Sequence, residues 1–356
     1  MSKDDLPKMQ PAHYLQNNNS QKFIMDFTEL IDLASEKLGG AVLYANDDFF
    51  APKENLLKPG APIFIEGKYT DLGKWMDGWE TRRRRSPRLN EKFDWCIIRL
   101  GLTGIIHGIV ADTSFFRGNF PSHCSLEACG VDGQPDVEQL LDVETEWTEI
   151  LPQSKLEGDS QNHFTINFPQ RVTHLRLKIY PDGGVARLRV FGEVLPDWDA
   201  LRRRESEIDL AAVEHGGTVL EASDMFFGHR HNLIMPGLAQ DMSDGWETKR
   251  RRGDGFDWCV IKLGYAGSLK RVEVDTSHFK GNYPESCSIE TCRADDDTKL
   301  DSVVWQELLP NTKLQAHTQH IFVDELKNCG TVTHIRFNIF PDGGVSRLRL
   351  FGRISE

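Results

Sequence analysis

No stretch of this sequence approaches the run of about 20 apolar residues that a membrane-spanning helix requires, so a membrane partner is not expected. Positive charge is also short. The 42 Lys and Arg are outnumbered by 54 Asp and Glu, a formal charge of -12, which repels phosphate backbones and anionic lipid and argues against nucleic acid as a partner. Cysteine is sparse: there are seven in 356 residues, and the odd total leaves at least one without an intramolecular partner. Cys124 and Cys129 are spaced as Cys-x4-Cys, which makes neither a CxxC redox pair nor a zinc knuckle, so buried, reduced thiols are expected. Gly-x-Ser-x-Gly, His-Glu-x-x-His and phosphate-binding glycine loops are all missing. Residues 1–22 are polar and lack an apolar signal core, which suggests a loose tail on a cytoplasmic, non-secreted protein.

What the chain has instead is a copy of itself. Ile31-Asp32-Leu33-Ala34 recurs as Ile208-Asp209-Leu210-Ala211, an offset of 177, and Phe49-Phe50 recurs as Phe226-Phe227. Asp77-Gly78-Trp79-Glu80-Thr81 recurs as Asp244-Gly245-Trp246-Glu247-Thr248, an offset of 167, so the first copy carries ten extra residues within 61–74. Pro, Gly and Lys in that stretch mark a surface loop. Phe93-Asp94-Trp95-Cys96 matches Phe256-Asp257-Trp258-Cys259, and Asp112-Thr113-Ser114 with Gly118-Asn119 matches Asp275-Thr276-Ser277 with Gly281-Asn282. Both copies close on one signature, Pro181-Asp182-Gly183-Gly184-Val185-Ala186-Arg187-Leu188-Arg189 and Pro341-Asp342-Gly343-Gly344-Val345-Ser346-Arg347-Leu348-Arg349. The expected organisation is a tail over residues 1–22, a first repeat over 23–195, a polar linker over 196–204 and a second repeat over 205–356.

Apolar and polar residues alternate through Ile97-Ile98-Arg99-Leu100, through residues 174–180 and through 185–191, the mark of half-buried strands. Helical periodicity is confined to residues 26–37 and a counterpart near Ile208, where a short helix is expected. Asp182-Gly183-Gly184 between alternating runs predicts a tight hairpin, because glycine supplies the positive φ such turns demand. Short strands separated by Gly, Pro and Asn turns give an all-β class, with one sandwich per repeat in tandem. Trp95, Leu100, Val110, Leu188 and Phe191 are the expected core.

The duplicated polar residues need a separate account, although an Asp or Arg in a loop also caps turns. Trp79, Glu80 and four arginines lie within residues 77–85. On a strand, Arg82 and Arg84 would share one face and Arg83 and Arg85 the other. A nuclear-import or nucleic-acid patch is the alternative for this run, but its recurrence as Lys249-Arg250-Arg251-Arg252 inside a strand-and-loop frame weighs against it, as does the acidic balance. His174 recurs as His334 within an alternating strand, where a structural role is the commoner one.

The three motifs, Asp-Gly-Trp-Glu-Thr-Arg-Arg-Arg, Asp-Thr-Ser-Phe-Phe-Arg-Gly-Asn and Pro-Asp-Gly-Gly-Val-Ala-Arg-Leu-Arg, resemble those of allantoicases, over nearly everything after the first two dozen residues. The resemblance implies two galactose-binding-like jelly rolls and hydrolysis of allantoate to (S)-ureidoglycolate and urea in purine breakdown. It also implies a homo-oligomer. Galactose-binding-like sandwiches also serve as tandem binding modules, which is the competing reading.

Allantoate carries a carboxylate and two ureido groups on one carbon. A site for it needs a guanidinium, whose planar fork suits a carboxylate better than Lys does, and carboxylates for hydrogen bonding and acid-base work. The expected acid-base residues are Glu80, Asp94 and Asp112, with Glu247, Asp257 and Asp275 as their copies. The expected substrate contacts are Trp79 as a wall with Arg82, Arg84, Asn119, Asp182 and Arg187, and Trp246, Arg251, Asn282, Asp342 and Arg347 in the second repeat. Arg82 becomes Lys249, and Phe115 and Arg117 become His278 and Lys280, so unequal copies are expected. No cofactor is identified; acidic side chains suit a divalent metal, but no compact ligand spacing points to one.

Overall fold

The computed structural model describes residues 26–84, 92–203, 206–295 and 297–355. The tail expected over 1–22 lies outside the described residues, as do Arg85, Arg204 and Glu205. The first repeat contains β1 (Ile31–Asp32), β2 (Ala41–Ala45), β3 (Tyr69–Thr70), β4 (Gly73–Lys74), β5 (Trp79–Glu80), β6 (Asp94–Asp112), β7 (His123–Cys129), β8 (Thr148–Lys155), β9 (Gln161–Tyr180), β10 (Gly184–Val185) and β11 (Arg187–Val194). The main strands run in the order β1-β11-β6-β9-β7-β8, with β2 also on β6. The second repeat contains β12 (Ile208–Asp209), β13 (Thr218–Ala222), β14 (Trp246–Glu247), β15 (Asp257–Asp275), β16 (Ser286–Cys292), β17 (Gln306–Lys313), β18 (Gln319–Phe322), β19 (Val332–Phe340), β20 (Gly344–Val345) and β21 (Arg347–Ile354). Its order, β12-β21-β15-β19-β16-β17, reproduces the first. The chain is two tandem jelly-roll sandwiches, as its alternating runs predict.

A strand the length of β6, 19 residues, would span about 60 Å if straight. Its two ends instead meet the same short segment: Arg84 bonds both Asp94 and the Asp182 carboxylate, while Ala186 N donates to Asp112 O at 2.7 Å. The strand therefore doubles back, and its partner β9 turns with it, the pairing slipping between Arg99 and Gly104. A Cβ on Gly104 would lie 2.0 Å from the Glu193 carbonyl, so the corner demands glycine. This fold-over turns one long ladder into two facing layers and returns both ends of β6 to one pole.

Three expectations are corrected here. Residues 26–37 form no α-helix: two 3-10 turns, Phe27–Glu29 and Glu36–Leu38, flank β1, because Ile31 and Asp32 pair with Gly192 and Phe191. Near Ile208 the pattern is the same, with β12 on β21 and a 3-10 turn at Val213–His215. The Asp182-Gly183-Gly184 turn is not a hairpin, because β6 lies between β9 and β11; β10 pairs with β5 instead. Gly183 has φ +139, and its Cβ would meet the Asn119 carbonyl at 2.6 Å, so close approach to the Asn119 loop is the second reason for glycine there.

Leu100, Val110 and Leu188 are buried as expected, whereas Trp95 and Phe191 are half-buried, against Tyr44 and Phe27 respectively. The largest fully buried side chains are Trp79 and Trp246. Buried apolar residues of both repeats form one connected cluster. The repeats are further joined by ion pairs from Lys37 to Asp244 and from Arg230 to Glu29, the latter at 2.7 Å. All seven cysteines are free thiols and six are buried, Cys329 being half-buried. Burial raises the thiols of Cys124 and Cys287 to about 12 and those of Cys129 and Cys292 to about 11. The extra residues of the first repeat include the β3-β4 hairpin and expose Ile63, Phe64, Ile65, Tyr69 and Leu72.

Candidate active site

Pairing of β5 with β10 sets Glu80 opposite Gly184, and Gly184 N donates to Asn119 O at 2.8 Å. Three separate motifs of the sequence thereby converge at one pole of the sandwich. Asn119 Nδ2 donates to Glu80 Oε1 at 2.7 Å. Burial raises the Glu80 carboxyl above its ordinary value, against the opposing effects of Asn119 and the nearby positive charge of Arg83. Beside it, Asp182 is 4% exposed; its Oδ2 accepts from Arg84 N at 2.8 Å, and its buried Oδ1 has no hydrogen-bond partner. Asp94, also buried, accepts through Oδ1 from Arg84 Nε at 3.1 Å and from Asn46 Nδ2 at 3.0 Å.

The second repeat builds the same pole. Asn282 Nδ2 donates to Glu247 Oε1, Arg251 N donates to Asp342 Oδ2 at 2.7 Å, and the Arg251 guanidinium pairs with Asp257. Ser223 Oγ stands where Asn46 does and donates to Asp257 Oδ1 at 3.0 Å. Arg251 differs from Arg84 in keeping a buried Nε without a partner.

Several expected site residues face elsewhere. Trp79 is fully buried and its Nε1 donates to Asp47 O at 2.8 Å, so its indole is core rather than a wall; Trp246 does the same with Asp224 O. Arg82 grips Asp47, Nε to Oδ2 at 2.6 Å, and lies over Phe49. Lys249 correspondingly lies over Phe226. Asp112 and Asp275 each accept from the backbone N–H two residues on, of Ser114 and Ser277, closing Asx turns.

Arg187 is 2% exposed and donates to the carbonyls of Gly60, Asp77 and Ala186 and to Asp77 Oδ2, the last at 2.7 Å. Arg347 likewise donates to the carbonyls of Gly237, Asn232, Asp244 and Ser346. Both guanidiniums are braces that fasten the Asp-Gly-Trp-Glu segment to β11 or β21. This leaves Glu80, Asn119 and Asp182 together at the pole, with Glu247, Asn282 and Asp342 as their copies.

Arg83 and Arg250, both exposed, are not among the expected substrate contacts. Strand alternation grouped Arg82 with Arg84, but residues 81–84 form no strand and their side chains do not alternate. The available signal was recurrence by type: Arg83 returns as arginine at 250, whereas Arg82 returns as Lys249.

Two cavities lie elsewhere. A cavity of about 1010 Å³ is lined by Cys129, Asp132, Glu144 and Arg171, and one of about 420 Å³ by Lys262, Arg293, Asp297 and His334. Both open where Cys129 pairs with His174 or Cys292 with His334, whereas the Glu80 pole adjoins the other end of the same ladder, where His123 pairs with Tyr180. The chemistry favours the Glu80 pole, where polar residues that recur in the second repeat gather around an unpartnered acceptor, Asp182 Oδ1. His174 is buried, which lowers its pKa to about 4, with Arg99 adding to the shift. Among the described residues, no three His, Cys, Asp or Glu side chains are grouped so as to hold a metal ion. No helix among them is long and apolar enough to cross a membrane.

The chain has close relatives of known family. The family model described as an allantoicase repeat matches twice, over residues 31–195 and 208–355. The probable allantoicase of Photobacterium profundum is 49% identical over 337 residues, covering 93% of this chain and 99% of that relative. The allantoicase of Dictyostelium discoideum is 47% identical over 341 residues, covering 95% of this chain and 90% of that one. The crystal structure of an allantoicase from Saccharomyces cerevisiae superposes with a TM-score of 0.75 at 37% identity, over 90% of this chain and 92% of that one. With both repeats matched and identity near one half along almost the whole length, the chain belongs to the allantoicase family.

Proposed function

We propose that this chain hydrolyses allantoate to (S)-ureidoglycolate and urea, and that the reaction takes place at the pole where Glu80, Asn119 and Asp182 meet, with Glu247, Asn282 and Asp342 forming its copy. The observation that carries the reaction is the full-length match to allantoicases, both repeats included. The geometry supports the location.

Water must supply a hydroxyl to the central carbon of allantoate and a proton to the departing urea nitrogen. Glu80 is suited to take a proton from that water. Its carboxyl is held by Asn119, and burial raises its pKa, which makes it a stronger base than an exposed glutamate. Asp182 Oδ1, buried and unpartnered, is an acceptor for a ureido N–H. Asp94 acts at one remove, since its Oδ1 fixes Arg84 and thereby the backbone N–H that holds Asp182.

A homo-oligomer in the cytoplasm belongs to this reading. Five large apolar side chains exposed within residues 63–72 are the kind of patch that self-association covers. Seven unpaired cysteines fit a reducing compartment. The deciding experiment incubates the purified protein with allantoate and follows urea, with and without a chelator. Urea release reduced in Glu80→Gln and lost in Glu80→Gln/Glu247→Gln supports the assignment, and undiminished release in both variants refutes it. The chelator arm decides whether a divalent cation also takes part.

A further inference from the structure

The arginines around the Glu80 pole differ in what is left of their hydrogen-bonding capacity. Arg82 is bound to Asp47, and Arg84 is bound to Asp94 and to the Phe93 carbonyl. Arg187 is buried among carbonyls and Asp77, and Arg189 donates to the carbonyls of Pro59 and Gly60. Arg83 is the exception. Its side chain is 55% exposed, its one hydrogen bond runs from Nη2 to the Gly118 carbonyl at 2.8 Å, and its Nη1 stands 3.8 Å from Asp182 Oδ1, beyond hydrogen-bonding distance. Nε and the remaining N–H groups of its fork bond nothing among the described residues.

The neighbours of this fork complete a pattern. Asp182 Oδ1 is a buried acceptor without a donor, Glu80 is close enough for the Arg83 charge to act on its carboxyl, and Asn119 orients Glu80. A cation with an open fork, a carboxylate oxygen lacking a donor and a held carboxylate within one pole match a ligand with a carboxylate at one end and N–H donors at the other. In the second repeat Arg250 is exposed and makes no hydrogen bond or ion pair among the described residues, and it precedes Arg251, whose backbone N–H binds Asp342.

We infer that Arg83 is the guanidinium that takes the carboxylate of allantoate, with Arg250 its counterpart in the second repeat. The planar fork of Arg83 meets the two carboxylate oxygens, which directs the ureido groups toward Asp182 and Glu80. The assignment rests on the reaction proposed above, and the test separates the two.

Hydantoate, which has one carboxylate and one ureido group and cannot release urea in the same way, serves as a binding probe by calorimetry on the full chain. In Arg83→Gln/Arg250→Gln, hydantoate affinity and 1/KM for allantoate should fall by a factor of about 10 to 150, the range for removing a hydrogen bond to a charged group, with kcat changed by only a few-fold. Arg83→Lys/Arg250→Lys should fall between, because a point charge attracts the carboxylate without gripping both oxygens. Arg82→Gln should bind as the wild type does, and the thermal transition of every variant should match it, since Arg83 is exposed. Wild-type hydantoate binding by the double glutamine variant, or no binding by the wild type, overturns the assignment. Arg83-dependent binding without urea release from allantoate would leave the anchor standing and refute the reaction instead.

Discussion

Replacing Arg187 by methionine removes a guanidinium that is 2% exposed and held by three backbone carbonyls and the Asp77 carboxylate. The change strands a carboxylate that is itself nearly buried, and breaking one partner out of such a pair costs about 3 to 5 kcal/mol. With a urea m-value of about 2 to 3 kcal/mol/M for a unit of this size, the midpoint of urea unfolding, followed by tryptophan fluorescence, should drop by roughly 1 to 2.5 M. The double variant Asp77→Asn/Arg187→Met should lose less than the two single losses combined, because the second change removes the stranded charge.

Burial works to raise the Asp77 carboxyl, but its bonds to Arg187 and the Ile63 N–H outweigh that and hold it below the ordinary value. A lowered folded-state pKa stabilises above the unfolded value and loses that contribution as pH falls through the folded one. The stability gap between wild type and Arg187→Met should therefore be widest at neutral pH and narrow as pH falls, beginning above the ordinary carboxylate range of about 4, because the stranded Asp77 of the variant takes up its proton first. An Arg187→Met protein with the wild-type midpoint and only a raised KM would refute the brace and restore Arg187 as a substrate contact.

Glu80→Gln/Glu247→Gln keeps an oxygen for Asn119 and for Asn282 but removes both bases, so urea release should fall by about 10² to 10⁴, while the thermal transition of Glu80→Gln at neutral pH stays level or rises, because burial disfavours the charged carboxyl. In the wild type, kcat/KM should climb with pH through a value above the usual glutamate range of about 4.3, and loss of urea release without any such limb in the pH profile would count against Glu80 as the base. A thiol reagent added to the native protein should react quickly with Cys329 alone, since the other six cysteines are buried; fast modification of two or more would contradict the packing. Trp79→Ala should destabilise the fold by about 3 to 5 kcal/mol, and a well-folded Trp79→Ala variant defective only in binding would return that indole to the site wall.

The duplication, the all-β class and the long strands were legible in the residues, because the side-chain period of a strand and the recurrence of a motif are local properties of the chain. The same locality explains the failures. Ile31 and Asp32 sit in a pattern that suits a helix but are held as a strand by β11, more than 150 residues away. Asp182-Gly183-Gly184 has the composition of a hairpin, yet the strands on either side of it are kept apart by β6.

Among the polar residues, composition identified the motifs that meet, and Glu80 with Asn119 and Asp182 did converge. Their separate tasks were not readable there. Arg84, Arg187 and Arg83 are alike as letters, and only the folded chain decides which guanidinium is surrounded by carbonyls and carboxylates and which keeps its fork open. The sequence by itself determined that two similar sandwiches would form and which polar segments they share. Tertiary structure decided the rest, since burial and the supply of hydrogen-bond partners depend on where β6 doubles back and what that brings alongside each side chain.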